Sequence, residues 1–286
     1  MSISHDVLSI EFSTDSVNAL VQAKKHLQNY GCFIARGLLQ KQELQPMQCE
    51  ITQLIDILRK HHPNLPPIVG STERFDRGFL ELVKHNPKIS SIIYNACRRL
   101  TSVHQLSVTD KLLNLSKNLL QTDLIMSNPY KTIRIDCQQR EDYLLPWHQD
   151  YPYVQDSPDA LIYWIPLQDV DEENGCMMVA PGSHQQGILP VKMDSPTPCK
   201  KDLHLADAAV ASLYPKLRLP VKMGDVLVFN TLMLHRSCPN LSKLPRWTLQ
   251  IRHGNFKHPF AIRKNWPGSH YEQNWFDLSH PEYVAP

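Results

Sequence analysis

The stretch "GDVLVFNTLMLHRSCPNLSKLPRWTLQIRHG", residues 224–254, decides the fold. It opens on a Gly-Asp turn, runs through the β-prone "DVLVFN", reaches His235, crosses a loop and enters a second β-prone run at Arg246. Short runs of Val, Ile, Leu and aromatics bounded by Gly, Pro, Asn and Asp read as strands. The same signature recurs upstream in "TIRIDC" (132–137), "ALIYWIPL" (160–167), "CMMVA" (176–180) and "LRLPVKM" (217–223). The second half of the chain is therefore mostly strand.

The first 120 residues read differently. "SVNALVQAKKHLQNYGCFIARGLL" (16–39) predicts an amphipathic helix with Ser16 as its cap, stopped near Gly31 and followed by a short strand, "CFIA". "QKQELQPMQCEITQLIDILRKHH" (40–62) places Ile51, Leu54, Ile55 and Leu58 at helical spacing, and Pro63 ends it. Two more helical patterns cover roughly 77–98 and 108–120. Helices followed by many short strands, without regular alternation, predict an α+β fold with a mainly β core closing as a sandwich or barrel. No repeat or low-complexity linker divides the chain, so one domain over 1–286 is expected: a helix-rich part (1–120), a β core (about 121–256) and an irregular tail (257–286). "PVKMDSPTPCKKD" (190–202) reads as a surface loop.

Composition narrows the function classes. Thirty basic and 28 acidic residues are well mixed and sum to +2, so no electrostatic footprint for nucleic acid is present. No apolar run is long enough to span a membrane, and the N-terminus lacks a signal pattern. Seven cysteines, an odd number with no C-x-x-C pair, speak against zinc ribbons and a disulfide framework. A reducing cytoplasm and a small-molecule partner are the expectation; oligomeric state is left open.

Among the 14 histidines, His148 stands out because "PWHQDYPY" (146–153) sets Asp150 two residues beyond it. On an extended segment the two would share a face, with Gln149 opposite. A carboxylate can bind a divalent cation and a neutral imidazole suits iron, zinc or copper, so H-x-D supplies two of the three ligands of a facial triad, and the third must come from elsewhere.

His235 and Arg246 make the pattern specific. H-x-D, a distal histidine, an arginine at the head of the next strand and the intervening "WIPLQDVDEENGCMMVAPGSH" together resemble the phytanoyl-CoA dioxygenase family of iron(II)/2-oxoglutarate oxygenases. "YGCFIARGLL" is similar to that family's opening, and the resemblance spans roughly residues 16–256. It implies a double-stranded β-helix, the cupin-like jelly roll, with the N-terminal helices packed on it. It also implies iron(II) held by His148, Asp150 and His235, 2-oxoglutarate anchored by Arg246 with help from Ser237, and dioxygen as the third reactant. The implied outcome is hydroxylation of an unactivated C–H bond, with succinate and carbon dioxide released. An intact acidic ligand at Asp150 disfavours a halogenase.

Other positions carry over with alternatives open. Alternation in "TIRIDC" groups Thr132, Arg134 and Asp136 on one face, so Arg134 and Thr132 read either as further cosubstrate contacts or as an outward polar face. Trp164 matches an aromatic near the iron, or fills a core. Gln149, Tyr151 and the neighbouring Trp147, Tyr153 and Tyr163 read as a substrate mouth or as rim packing. Lys200, Lys201 and Arg218 read as solvated, or as contacts for an anionic group. His184 and His253 are structural decoys. Two rivals keep the fold: a cupin-like isomerase or lyase without an oxo acid, and a non-catalytic binding protein.

Overall fold

The runs "LIYWIP" (161–166) and "VLVF" (226–229) carry apolar residues on both faces, which requires a layer on either side of the main sheet. The computed structural model describes residues 4–12, 17–65, 67–68, 73–138, 144–194, 203–206, 208–267 and 275–284. Ser16, Cys199, Lys200 and Lys201 lie outside the described residues.

The N-terminal part contains β1 (Ser9–Glu11), α1 (Val17–Tyr30), β2 (Cys32–Arg36), α2 (Lys41–Lys60), α3 (Phe79–His85), α4 (Lys88–Cys97), α5 (Thr101–Ser107) and α6 (Asp110–Leu120). Helix α1 ends at Gly31, whose φ of 77° is the left-handed conformation that glycine adopts without a Cβ penalty. The helix predicted over 77–98 is two helices. Asn86 is extended, as expected of a residue preceding proline, and Pro87 opens α4.

The strands that follow are β3 (Ile125–Ser127), β4 (Thr132–Asp136), β5 (Leu161–Pro166), β6 (Met177–Val179), β7 (Val191–Asp194), β8 (Leu203–Ala206), β9 (Leu217–Leu219), β10 (Val226–Asn230), β11 (His235–Ser237) and β12 (Arg246–Asn255). The main sheet runs β1-β2-β10-β5-β12-β3, with β4 also on β12; the second sheet is β11-β6-β9. One face of the main sheet, including Phe33, Tyr163, Val228, Trp247 and Leu249, packs against helical Leu44, Ile51, Ile93 and Leu112. The other, Ile34, Ile162, Trp164, Leu227 and Phe229, packs onto Met177, Val179 and Leu219 of the second sheet. Two facing sheets, antiparallel apart from the parallel β1–β2 pair, with helices on the outer face make the jelly-roll arrangement that the resemblance implies.

Two expectations are corrected. The 190–202 segment is not wholly loop, because Val191–Asp194 pairs antiparallel with Leu203–Ala206. The tail also contains α9 (Pro259–Arg263) and α10 (Trp275–Ser279), and it buries Phe276 and His280 against Tyr151. Short helices α7 (Tyr151–Val154) and α8 (Ala208–Ser212) complete the elements. Among the described residues, no helix is long and apolar enough to cross a membrane.

Candidate active site

His148 and His235 are joined by backbone pairing. Each amide donates to the other's carbonyl at 3.1 Å, an antiparallel bridge that sets the imidazoles side by side with ring centroids 4.2 Å apart. Asp150 is pinned by the same partner loop, its amide donating to the Thr231 carbonyl at 2.9 Å. The expected extended geometry is corrected here. Asp150 has φ −76° and ψ −22° and begins α7, whose first turn tolerates Pro152. The turn still brings its carboxylate over the histidines: Asp150 Oδ1 lies 3.6 Å from His148 Nε2 and 3.6 Å from His235 Nε2. Among the described residues this is the one cluster of three such groups with metal-binding spacing.

The imidazole tautomers follow from the partners of the other ring nitrogens. His148 Nδ1 is 2.7 Å from the Pro146 carbonyl and His235 Nδ1 is 3.0 Å from the Met233 carbonyl. A carbonyl only accepts, so both Nδ1 atoms carry a proton, and the Nε2 atoms turned toward Asp150 are the nitrogens left for a metal. Burial and the neighbouring His235 push the His148 imidazole down, which keeps it neutral. Burial alone would raise the Asp150 carboxyl, but Arg252 and the two imidazoles hold it well below the usual carboxylate range. Two imidazole nitrogens and one carboxylate oxygen are the donor set that suits iron(II) with open positions.

A cavity of about 630 Å³ opens on these groups. Thr132, Arg134 and Asp136 of β4, Gln250 and Arg252 of β12, and Ser237 of β11 form one side of it. Ser90, Ser91, Tyr94 and Asn95 of α4 contribute another part of the lining, with Tyr130, Tyr153, Leu145 and Met177 also present. Arg246 is not in the lining. It is buried opposite Asp136 in the β4–β12 register, and its Nη2 donates to Asp136 Oδ2 at 2.5 Å. Arg134 Nη2 donates to the other oxygen at 2.8 Å. Two guanidiniums share one carboxylate, and the formal charges of these three side chains sum to +1. Burial opposes ionisation of Asp136, yet Arg134 and Arg246 hold its carboxyl well below the usual range.

Three buried polar atoms beside this cluster have no partner: Arg246 Nε, Thr132 Oγ1 and Thr248 Oγ1. Alternation puts Arg246, Thr248 and Gln250 on one face of β12, and register sets them against Asp136, Arg134 and Thr132. Orphaned buried donors cost free energy unless a ligand satisfies them. An excess positive charge with unpaired donors fits a carboxylate.

Several predicted positions are placed elsewhere. Gln149 is a strut whose side chain donates to the Gly187 and Leu232 carbonyls and accepts from the Leu189 amide. Tyr151 points behind α7, its hydroxyl 3.0 Å from His280 Nε2. Trp164 fills the space between the sheets, with the Arg246 guanidinium 5.7 Å from its ring centroid. Tyr163 and His253 both bond to Ser116 under the helices, and Trp147 packs in a separate cluster with Leu234. Of the expected aromatic mouth, only Tyr153 lines the cavity. His184 Nε2 meets the Gln28 carbonyl, and Arg218 pairs with Glu172.

Sequence reasoning missed Arg252, Gln250, Tyr130 and the α4 residues. A period-two reading of "RWTLQIR" from Arg246 would have put Gln250 and Arg252 on the same face. Nothing local marks α4 as a cavity wall.

Comparison with known proteins finds relatives of this chain. Phytanoyl-CoA dioxygenase 1 of Oryza sativa subsp. japonica is 29% identical over 113 residues, 36% of each chain. The 1-deoxypentalenic acid 11-beta-hydroxylase of Streptomyces exfoliatus is 33% identical over 107 residues, covering 36% of this chain and 37% of that one. The matched stretches thus span little more than a third of these relatives. Structurally, the epimerase SnoN in complex with Fe3+, alpha ketoglutarate and nogalamycin RO superposes with a TM-score of 0.59 at 17% identity, covering 90% of this chain and 94% of that one. EctD from S. alaskensis, with 2-oxoglutarate and 5-hydroxyectoine, gives 0.54 at 17% identity, covering 87% and 80%. The family model described as phytanoyl-CoA dioxygenase (PhyH) matches residues 27–248, and with the fold and the His-Asp-His cluster in place, the chain belongs to the phytanoyl-CoA dioxygenase family.

Proposed function

We propose that this protein is an iron(II)- and 2-oxoglutarate-dependent oxygenase that hydroxylates a small molecule. One observation carries the reading: the cavity lined by the His148–Asp150–His235 donor set also reaches Thr132, Arg134 and Asp136, and behind Asp136 lies a second guanidinium, Arg246, with its Nε unpaired. A cupin-like isomerase or lyase has no need of the second feature, and a binding protein has no need of the first. Relatives named as hydroxylases of 1-deoxypentalenic acid and methylphosphonate support the reaction type.

His148, Asp150 and His235 would hold the metal on one side, and Arg246, Thr132 and Thr248 would receive the distal carboxylate of the oxo acid, with Ser237 and Arg134 beside them. When bound, iron(II) and 2-oxoglutarate let dioxygen place one oxygen atom in a C–H bond and the other in succinate, with carbon dioxide released. The chain's own work is positioning. The carbonyls of Pro146 and Met233 fix the imidazole tautomers, and Leu145, Val154 and Met177 give the cavity apolar surface that disfavours water. Arg246 is shared: an incoming carboxylate meets a guanidinium already bonded to Asp136 through one nitrogen, with Nε still available. A reducing, cytoplasmic setting belongs to the reading, with Cys32, Cys97, Cys176 and Cys238 free and buried.

The test is anaerobic iron loading with metal analysis. One iron per chain is expected, lost in His148→Ala/His235→Ala. Adding 2-oxoglutarate should raise a visible metal-to-ligand absorption band, and a metabolite screen should find compounds that stimulate succinate release. Full iron binding in the double variant would refute the ligand assignment. An absent band would favour the isomerase or lyase, and normal binding without any stimulated turnover would favour the binding protein.

A further inference from the structure

Arg252 is the buried charge nearest the carboxylate ligand, and its bonding is asymmetric. Both Nε and Nη2 lie 2.9 Å from Asp150 Oδ2. Nη2 also donates to Gln250 Oε1 at 2.8 Å, and Nη1 to the Tyr130 carbonyl at 3.3 Å. The guanidinium is thereby held in place on three sides, at 5% exposure. Asp150 Oδ1 is the oxygen that faces the two imidazole Nε2 atoms, 3.6 Å from each.

We propose that Arg252 is a positioning residue that confines Asp150 to one-oxygen ligation through Oδ1, and so preserves an open coordination position. The inference rests on the oxygenase reading and deepens it. A carboxylate oxygen offers about two lone-pair directions; on Oδ2 the Nε–H bond takes one, and the Nη2 end of the same cation sits 2.9 Å away. For Oδ2 to turn toward a metal it would have to break the Nε–H bond and leave a buried guanidinium without its counter-charge. The arithmetic of positions gives the consequence. A metal held by His148, His235 and one oxygen of Asp150 would keep more positions open than one held by both oxygens, and a two-oxygen Asp150 would compete with the oxo acid or dioxygen. A lysine supplies one point charge without the fixed fork and does not hold a single oxygen in this way.

The experiment compares wild type with Arg252→Lys and Arg252→Gln, each checked for fold by circular dichroism and loaded anaerobically with cobalt(II). Cobalt affinity should change by no more than about threefold, while 2-oxoglutarate binding weakens about tenfold or more. The cobalt absorption spectrum should shift even without 2-oxoglutarate, reflecting a second oxygen on the metal. Folded variants with wild-type spectrum and wild-type 2-oxoglutarate affinity overturn the proposal, as does a loss of thermal stability with both unchanged. A crystal structure of the anaerobic iron-loaded wild type decides the matter if neither variant folds: Asp150 bound through Oδ1 alone, with Oδ2 on Arg252, is expected. Two-oxygen ligation overturns this proposal alone. Absence of metal from His148, Asp150 and His235 overturns the oxygenase reading and this proposal together.

Discussion

Replacing Arg246 with leucine removes one of the two cations that flank Asp136, and the structure sets the size of the effect. In the wild-type chain Arg134, Arg246 and Asp136 sum to one positive charge in a buried site, with Arg246 Nε unpaired. In Arg246→Leu the remaining Arg134–Asp136 pair is neutral, so the distal carboxylate of 2-oxoglutarate would enter a buried site with no surplus cation to meet it. Breaking a buried ion pair by removing one partner costs about 3–5 kcal/mol, which corresponds to roughly a hundred- to several-thousand-fold weaker binding. Asp136 keeps its Arg134 partner at 2.8 Å, so the fold should survive. Iron affinity should hardly change, because none of the three metal-donor side chains bonds to Arg246. The assay is 2-oxoglutarate titration of the iron-loaded, oxygen-free protein, following the absorption band. Unchanged 2-oxoglutarate affinity in a folded variant would refute the assignment and move the anchor to Arg134. A large loss of iron affinity would refute the separation of the two sites.

Two further outcomes test the surroundings. Burial pushes Asp156 up to about 7 against the pull of Asn128, Arg252 and Lys131. The folded chain therefore keeps a proton that the unfolded chain releases near pH 4; this stability is complete below that value and is lost as pH rises through about 7. Asp156→Asn stays neutral at every pH, so the difference between its melting temperature and that of wild type should grow in its favour as pH rises from about 4 to about 7 and level off above that; a gap independent of pH would contradict the assignment. Tyr151→Phe deletes the hydroxyl that meets His280, so chemical denaturation should show a loss of about 1 kcal/mol while KM for any substrate found stays put. A raised KM with unchanged stability would return Tyr151 to the cavity.

Residues near in sequence proved a poor guide to residues near in space around the candidate site. Gln149 and Tyr151 flank Asp150 directly, yet the chain turns into α7 there, sending one side chain onto backbone carbonyls and the other behind the helix toward the C-terminal segment. Conversely, Ser90, Ser91, Tyr94 and Asn95 reach the cavity from a helix far upstream. Trp164 illustrates a third case. Its strand is buried on both faces, so an apolar run alone left open which layer the indole would enter.

What the sequence determined by itself is what depends on short-range periodicity and residue chemistry. Those are the helix-then-strand order, the polar face Thr132–Arg134–Asp136, and the donor types at His148, Asp150 and His235. Ligand chemistry is a property of the side chain, and alternation is a property of the backbone, so both survive in a linear string. The tertiary structure alone decided the pairings. Register sets Asp136 against Arg246, and Asp150 meets Arg252 across 102 positions of the chain. Both are contacts between strands or segments whose relative placement is fixed by the packing of two sheets and a helical layer, and one residue of slip would turn every such side chain to the other face.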